Sequence, residues 1–336
     1  MGPTLNSRAQ GAIWGTCVGD ALGGPVQFSD YGTFTPITDL EPVRPFKKPA
    51  GSYSDDGAMT LGLAQSFIDA GGRYDQGKSI RNYLEWLTSG YFGTSSEPWD
   101  MGVATREALT IWWQHGISKT SQTRVIRHLD KEVRCGNGSL MRIAPVGVVF
   151  WKDKDCASNV AREESMVTHP ALACVEACVL FTSLIAGAMQ GMFANLVPLF
   201  LDINLMMVQG QLKEDLFGVL KNELLKLTHP ALSHRLSSYP LMGHYSLKPS
   251  SDVHSSGWVV DTIEVVLWAF FKFDTWEEGA LAVVNLGGDS DTAGAIYGAL
   301  AGVFYGVESI PQRWIDKMQN ADFIRKIATD FARVVT

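Results

Sequence analysis

The fold is decided by RAQGAIWGTCVGDALG (residues 8–23) and SDTAGAIYGALAGVFYG (residues 290–306), two stretches near opposite ends of the chain. Glycine recurs at every fourth position of both, as Gly11, Gly15, Gly19 and Gly23 and as Gly294, Gly298, Gly302 and Gly306. Glycine costs about 1 kcal/mol per helix position relative to alanine, so such a stripe needs a compensating gain. Close packing supplies it, because two helices without Cβ atoms can bring their backbones together. We predict two central helices, packed on each other, that close one domain; the alternative is two unrelated helices rich in small residues.

Helical spacing of apolar residues also dominates between these ends, and strand-like alternation is sparse. Segments 24–56 and 228–257 contain many Pro, Ser and Gly residues, so we expect long irregular loops there. The predicted fold is therefore all-α, with residues 1–336 forming a single domain. The predicted helices span residues 8–22, 57–71, 77–89, 102–115, 139–150, 157–166, 171–190, 212–227, 258–272, 275–286, 291–305, 310–318 and 320–334.

The composition excludes several classes of protein. Of the 336 residues, 46% are hydrophobic and 19% are charged, which excludes a mainly disordered chain. The formal net charge of −7 argues against a nucleic-acid-binding protein, since phosphate binding needs clustered cations. Most of this acidity is expected to be solvated surface. The sharper hypothesis is that some carboxylates converge on a cation.

The cysteines and the hydropathy of the chain indicate the cellular compartment in which the protein is expected. Five cysteines without a CxxC motif favour reduced thiols, with Cys174 and Cys178 on one buried helical face. The first residues lack the pattern of a secretory signal. The longest apolar runs, residues 177–189 and 294–307, are shorter than the roughly 18–20 residues of a membrane span. We expect a cytoplasmic protein with no membrane partner, or a nuclear one in a eukaryote.

Two short acidic segments carry the densest chemistry. They are Ser54-Asp55-Asp56 and Asp289-Ser290-Asp291-Thr292, and each lies where a loop enters an apolar helix. Helix capping explains one acid per helix. It does not explain crowded carboxylates, since like charges a few ångströms apart repel each other. A hard cation such as Mg²⁺, Mn²⁺ or Ca²⁺ would remove that cost. Capping and a site for one or two metal ions both stay open on spacing alone.

Seven motifs in chain order resemble the ADP-ribosylglycohydrolase family, in particular the branch of dinitrogenase reductase-activating glycohydrolase. The resemblance covers nearly the whole chain. Any one motif is weakly specific, but the ordered set is strongly so. The motifs are GDALG at residues 19–23, SDD at 54–56, DMG with TR at 100–106, GNGSLMR at 136–142, TH at 168–169, SSGWVVDT at 255–262 and NLGGDSDT at 285–292.

The resemblance implies an orthogonal helical bundle with two Mg²⁺ or Mn²⁺ ions, which hydrolyses the bond between ADP-ribose and its acceptor. By motif position, the implied metal ligands are Ser54, Asp55, Asp56, Asp289, Asp291 and Thr292. Asp55, Asp56, Asp100 and Gln27 would act at the reaction centre. Asp100 would also face the leaving group, where a carboxylate can pair with a guanidinium; its alternative role is to cap helix 102–115. The implied substrate contacts are Asp100, Gly136, Asn137, Gly138, Ser139, Met141, His169 and Trp258.

Three departures from the family pattern stand out. Gln27 replaces a glutamate that many relatives carry, and an amide cannot serve as a general base. Gly57 replaces a common threonine. The second His-Pro of the nearest branch is absent after His169.

The leading hypothesis is an enzyme that removes ADP-ribose from an arginine-linked protein, acting as a monomer or weak oligomer. The alternatives are hydrolysis of a serine linkage or of a small ADP-ribose ester, or a silent ADP-ribose-binding module, which the change at Gln27 motivates.

Overall fold

The computed structural model describes residues 2–191 and 205–335. Within these residues the chain is helical, and its only β-type pairings are two isolated bridges. The all-α prediction is therefore confirmed. The helices are α1 (Leu5–Gly23), α2 (Asp55–Asp69), α3 (Gln76–Ser89), α4 (Val103–His115), α5 (Lys119–Leu129), α6 (Ala144–Val149), α7 (Lys154–Ser165), α8 (Leu172–Gln190), α9 (Leu205–Leu224), α10 (Pro230–Ser237), α11 (Gly243–Leu247), α12 (Val259–Lys272), α13 (Trp276–Val284), α14 (Ser290–Tyr305), α15 (Gln312–Ile315) and α16 (Ala321–Val335).

Helices α1 and α14 form the antiparallel central pair that the glycine stripes predict. A Cβ built on Gly15 would lie 2.0 Å from the carbonyl oxygen of Gly298, so only glycine fits. The same distance holds for Gly11 against Gly302 and for Gly19 against Gly294. Gly306, the last glycine of the second stripe, ends α14 with a φ of 85° and also packs on α1, since a Cβ there would lie 2.5 Å from the hydroxyl oxygen of Ser7.

Four sequence predictions for the helices are wrong. Of the helix predicted at 310–318, only the four residues of α15 (Gln312–Ile315) are helical. α5 was not predicted, because it buries only Ser121, Val125 and Leu129 and is otherwise polar. The predicted loop at 228–257 contains α10 and α11, two short helices packed on α12. The helix predicted at 139–150 begins only at residue 144, where Pro145 occupies its first turn. Segment 24–56 is irregular as predicted, apart from two short 3-10 turns and the first two residues of α2.

Helix α8 changes the sequence argument against a membrane span, which considered only the apolar run at residues 177–189 of this helix. Its 19 residues are long and apolar enough to cross a membrane by length and composition, although the run at 177–189 alone is too short. However, 94% of its most apolar window is buried inside the protein, as for the core helix of a globular domain. Cys174 and Cys178 lie on this helix and are buried, and all five cysteines are free, as predicted.

The central pair brings the acidic segments together. Asp20 lies near the C-terminal end of α1, where its carboxylate accepts hydrogen bonds from the backbone N–H groups of Ser54 (2.9 Å) and Gly57 (2.9 Å) at the start of α2. Since α14 runs antiparallel to α1, its N-terminal residues Asp291 and Thr292 arrive at the same place. The fold thus joins one loop-to-helix junction at residue 54 with another at residue 290.

Candidate active site

Carboxylates from three distant segments converge at the ends of α1, α2 and α14. Asp20, Asp56 and Asp291 are all buried, and each offers an oxygen within 4.8 Å of the other two. Asp55, next to Asp56, and Asp289, two residues before Asp291, are close enough to repel the same carboxylates. The structure therefore brings together the two acidic segments that the sequence singled out, which are at least 233 positions apart in the chain.

Asp20 holds this arrangement in place. Both of its oxygens accept from the Ser54 N–H, and one also accepts from the Ser54 hydroxyl at 3.2 Å. Burial raises the pKa of Asp20 to about 7. The hydrogen bonds from Ser54 and Gly57 favour the ionised carboxylate and therefore oppose this rise. Since its oxygens are occupied by α2, Asp20 acts as a structural link between α1 and α2.

The crowding of these buried carboxylates changes their pKa values. Burial raises the pKa values of Asp55, Asp56 and Asp291 well above the usual range for aspartate, and repulsion from neighbouring carboxylates raises them further. One oxygen of Asp56, Oδ2, accepts from the Ser54 hydroxyl (3.1 Å) and the Thr292 hydroxyl (3.3 Å). Its other oxygen, Oδ1, is buried and has no hydrogen-bond partner. A buried acceptor without a partner is costly, so this oxygen is available to a ligand.

Helix capping accounts for one of these side chains. Ser54 caps α2, where its hydroxyl accepts from the Asp56 N–H at 3.4 Å. Asp289 occupies the N-cap position of α14 but makes no capping hydrogen bond. Its carboxylate instead accepts from the Asn137 amide at 2.5 Å, and Asn137 also donates to the Thr262 hydroxyl at 3.0 Å.

Asp100 lies beside the acidic group and pairs with Gln27. The Gln27 amide nitrogen donates to Asp100 Oδ2 at 2.7 Å, while Gln27 Oε1 is buried without a partner. Asp100 has a φ of 59°, an uncommon conformation for a residue other than glycine. Burial raises its pKa, and hydrogen bonding with Asp291 and Gln27 opposes the rise. The N-cap of α4 is Gly102, so Asp100 does not cap this helix, contrary to the alternative prediction.

These groups line a cavity of about 400 Å³, within the roughly 300–1,000 Å³ typical of small-ligand sites. Ser54 and Asp56 lie outside its lining, but Asp56 contacts the lining residue Thr292. Of the predicted site residues, the cavity is lined by Gln27, Asp55, Asp100, Gly136, Asn137, Gly138, Met141, His169, Asp289, Asp291 and Thr292.

Two predicted substrate contacts do not line this cavity. Ser139 is fully buried, and its hydroxyl pairs with that of Ser165 at 2.9 Å. Trp258 lines a neighbouring recess together with Val133 and Gly136. Its ring lies 5.8 Å from the Arg235 guanidinium carbon.

A buried ion pair supports the loop of residues 136–139. Arg142 donates to the Gly138 carbonyl at 2.5 Å and to Glu164 at 3.4 Å, and neither charged side chain is exposed. A Cβ on Gly138 would lie 2.7 Å from Cε1 of His169, so this position needs glycine. Burial, and then the charge of Arg142, lower the pKa of His169 to about 3, so its imidazole is neutral near pH 7.

Sequence reasoning missed Glu164 and the rim residues Phe28 and Val133. Glu164 lies in the polar stretch AREES, which resembles a solvated helix face, and only tertiary contact with Arg142 shows its role. Phe28 and Val133 are 65% and 82% exposed and line the cavity. The departure at Gly57 has a steric cause: a Cβ there would lie 2.6 Å from the ring of Tyr53.

Comparison with known proteins agrees with the motifs. The family model for ADP-ribosylglycohydrolase matches residues 1–336. ADP-ribosylarginine hydrolase Tri1 of Pseudomonas putida (strain GB-1) is 29% identical over 326 residues, which cover 96% of this chain and 77% of Tri1. ADP-ribosyl-[dinitrogen reductase] glycohydrolase of Rhodospirillum rubrum is 28% identical over 324 residues, covering 94% and 92%. A solved ADP-ribosylglycohydrolase-related protein complex superposes with a TM-score of 0.77, at 29% identity and 99% coverage of both chains.

The chain belongs to the ADP-ribosylglycohydrolase family. Its relatives act on ADP-ribosylated substrates and support the predicted glycohydrolase activity.

Proposed function

We propose that this chain is a metal-dependent hydrolase that releases ADP-ribose from ADP-ribosylated arginine in proteins. The observation that carries the proposal is the convergence of buried carboxylates beside a cavity of suitable size. Two relatives are named for hydrolysis of ADP-ribosylarginine and of ADP-ribosyl-[dinitrogen reductase], which favours a protein-linked substrate.

The donor set fits divalent cations. Carboxylate and hydroxyl oxygens are the ligands that Mg²⁺ and Mn²⁺ prefer, and a cation would relieve the repulsion among the buried aspartates. The unpartnered Oδ1 of Asp56 gives independent support. When bound, such ions would supply charge stabilisation and hold the sugar at the reacting carbon. The residues proposed to hold two ions are Ser54, Asp55, Asp56, Asp289, Asp291 and Thr292.

The chain's own groups would bind and orient the substrate. The loop at residues 136–138 can approach a diphosphate closely, because it carries no side chain at Gly136 and Gly138. Asp100 can pair with the guanidinium of a modified arginine. Gln27 donates to Asp100 and thereby favours its ionised form, which is the form that such pairing needs.

Turnover of an arginine-ADP-ribosylated protein tests the proposal. We expect release of free ADP-ribose with Mg²⁺ or Mn²⁺ and its loss after chelation. Asp56→Asn and Asp291→Asn should each abolish release, whereas Asp322→Asn on the surface of α16 should have no effect. Failure of both ions, under conditions in which a known relative works, would refute the proposal.

Serine-linked ADP-ribose and small ADP-ribose esters are the alternative substrates. Side-by-side turnover of the three linkages would separate them. A preference for the arginine linkage that disappears in Asp100→Asn would support guanidinium recognition by this carboxylate.

A further inference from the structure

An aromatic surface extends from the mouth of the cavity at its acidic end. Phe28 lines the cavity, and its ring centroid lies 6.3 Å from that of Phe46, which lies 5.3 Å from that of Trp99. Phe28 is 65% exposed, and Phe46 and Trp99 are partly exposed. We call Phe28, Phe46 and Trp99 the aromatic strip.

The backbone holds Phe28 at the rim in a costly conformation. Its φ of 65° is rare for an aromatic residue. Two hydrogen bonds fix it: the Phe28 N–H donates to the Gly288 carbonyl at 2.7 Å, and the Gly288 N–H donates to the Ser29 carbonyl at 2.8 Å. Gly288 directly precedes the acidic segment 289–292, so the exposed ring is tied to the loop that carries the candidate metal ligands.

A basic margin, Arg44, Lys47 and Lys48, borders the aromatic strip. Arg44 and Lys47 are exposed, and the ammonium of Lys48 lies 5.6 Å from the Trp99 ring. Glu41 lies 3.7 Å from Arg44 and offsets part of this charge, yet residues 41–48 keep a net charge of +2 in a chain of −7. Aromatic residues with a charged border are typical of surfaces that bind other proteins.

We infer that the aromatic strip and its basic margin dock the polypeptide around the modified arginine and prefer acidic residues there. The inference rests on the proposed function, because ADP-ribose fills the cavity and its acceptor leaves at the acidic end. Asp100, proposed to pair with the arginine, directly follows Trp99. Polypeptide flanking that arginine therefore lies beside the strip, and the cations of the margin complement its acidic residues.

The test compares free ADP-ribosyl-arginine with two ADP-ribosylated peptides that differ only in acidic or basic flanking residues. We expect the native enzyme to prefer the acidic peptide through KM. Arg44→Glu combined with Lys47→Glu should raise KM for that peptide about fivefold to tenfold, with kcat unchanged. Hydrolysis of free ADP-ribosyl-arginine should change less than twofold. Phe46→Ala should raise KM for both peptides.

Matched changes elsewhere serve as controls. Lys119→Glu with Arg124→Glu reverses two exposed charges on α5, and Trp113→Ala removes a ring that is 61% exposed on α4. Both should leave all three substrates unaffected. Equal effects of the Arg44 and Lys47 changes on free and peptide substrates would overturn the inference, as would no effect on either. Dimerisation lost on the same changes, measured by light scattering, would assign the surface to a second copy and also overturn it.

A separate readout covers failure of the proposed function. If the native chain hydrolyses none of these substrates, affinities measured by fluorescence anisotropy decide the inference. Tighter binding of the acidic modified peptide than of ADP-ribose, lost in the double variant, would support the docking surface. Equal binding of the two would overturn it.

Discussion

Replacing Gly19 by alanine tests how the helix pairing determines both stability and the site. A Cβ at Gly19 would lie 2.0 Å from the carbonyl oxygen of Gly294, whereas real Cβ atoms essentially never come within 3.0 Å of another heavy atom. Helices α1 and α14 would therefore have to separate locally by about 1 Å. Neither side can relieve the clash by a rotamer change, because the obstacle is backbone.

The expected loss of stability follows from this geometry. Overpacking a core costs about 1–3 kcal/mol, and a rigid backbone obstacle puts Gly19→Ala near the upper end, at about 3 kcal/mol. With an unfolding entropy of about 2.1 cal/mol/K per residue, a chain of 336 residues has about 0.7 kcal/mol/K. The melting temperature should therefore fall by about 4 °C.

The expected loss of activity depends on where the helices separate. Gly19 is adjacent to Asp20, which is hydrogen-bonded to the start of α2, and displacements of about 1 Å at reacting groups cost roughly 100-fold in rate. Gly11 makes the same close contact with Gly302 about 12 Å further along α1. Gly11→Ala should therefore lose as much stability but less than about threefold in kcat/KM.

Calorimetry and hydrolysis of ADP-ribosyl-arginine measure the two effects. Gly218→Ala in α9 is the matched control, because beyond its chain neighbours and the backbone of its own helix no atom lies within 4 Å of the added Cβ, and it should stabilise the protein by about 0.5–1 kcal/mol. Unchanged melting of Gly19→Ala would refute the close packing. Equal loss of activity in Gly11→Ala and Gly19→Ala would refute its link to the site.

Three further predictions concern groups around the loop of residues 136–139. Arg142→Met should destabilise the protein by about 3–5 kcal/mol in urea unfolding, because it leaves Glu164 buried without its cation, and adding Glu164→Gln should restore part of the loss. The pKa of His169 is about 3 in the folded protein and about 6.5 in the unfolded chain. As the pH falls from 6.5 towards 3, only the unfolded chain gains a proton at this residue, so the free energy of unfolding decreases; above pH 6.5 this loss is absent. His169→Gln should flatten the dependence of stability on pH in that window, and an unchanged slope would contradict the assignment. Asn137→Ala removes the hydrogen bond to Asp289 and should weaken Mn²⁺ affinity tenfold to a hundredfold, as measured by titration calorimetry.

The central pair could be predicted from the sequence because its signal is local. Glycines at a spacing of four define one face of each helix, and two such faces complement each other. α5 and α10 could not be predicted in this way, because few of their residues are apolar or buried. Their positions depend on tertiary partners, as when Arg235 of α10 pairs with Glu264 of α12.

The candidate site likewise contains segments that the sequence predicts and contacts that it does not. The segments at 54–56 and 289–292 are each dense in acids, so either one is visible in isolation. The contact between Gln27 and Asp100 joins loops that are 73 residues apart, and nothing local to either residue predicts it. The placement of Trp258 in a neighbouring recess likewise depends on how the segment before α12 packs against Gly136, with which Trp258 forms an isolated bridge.

The acidic site and the glycine packing explain each other. Buried aspartates repel, so a pliable scaffold would let the ends of α2 and α14 move apart and take up water. The backbone contact between α1 and α14 prevents such movement of α14. Asp20 fixes α2 to α1, because its carboxylate accepts hydrogen bonds from two backbone N–H groups at the start of α2. The scaffold thus keeps Asp56 and Asp291 close at an energetic cost that a cation would remove. The net charge of −7 does not indicate a function, whereas the position of these few acids at the ends of a rigid helix pair indicates a cation site.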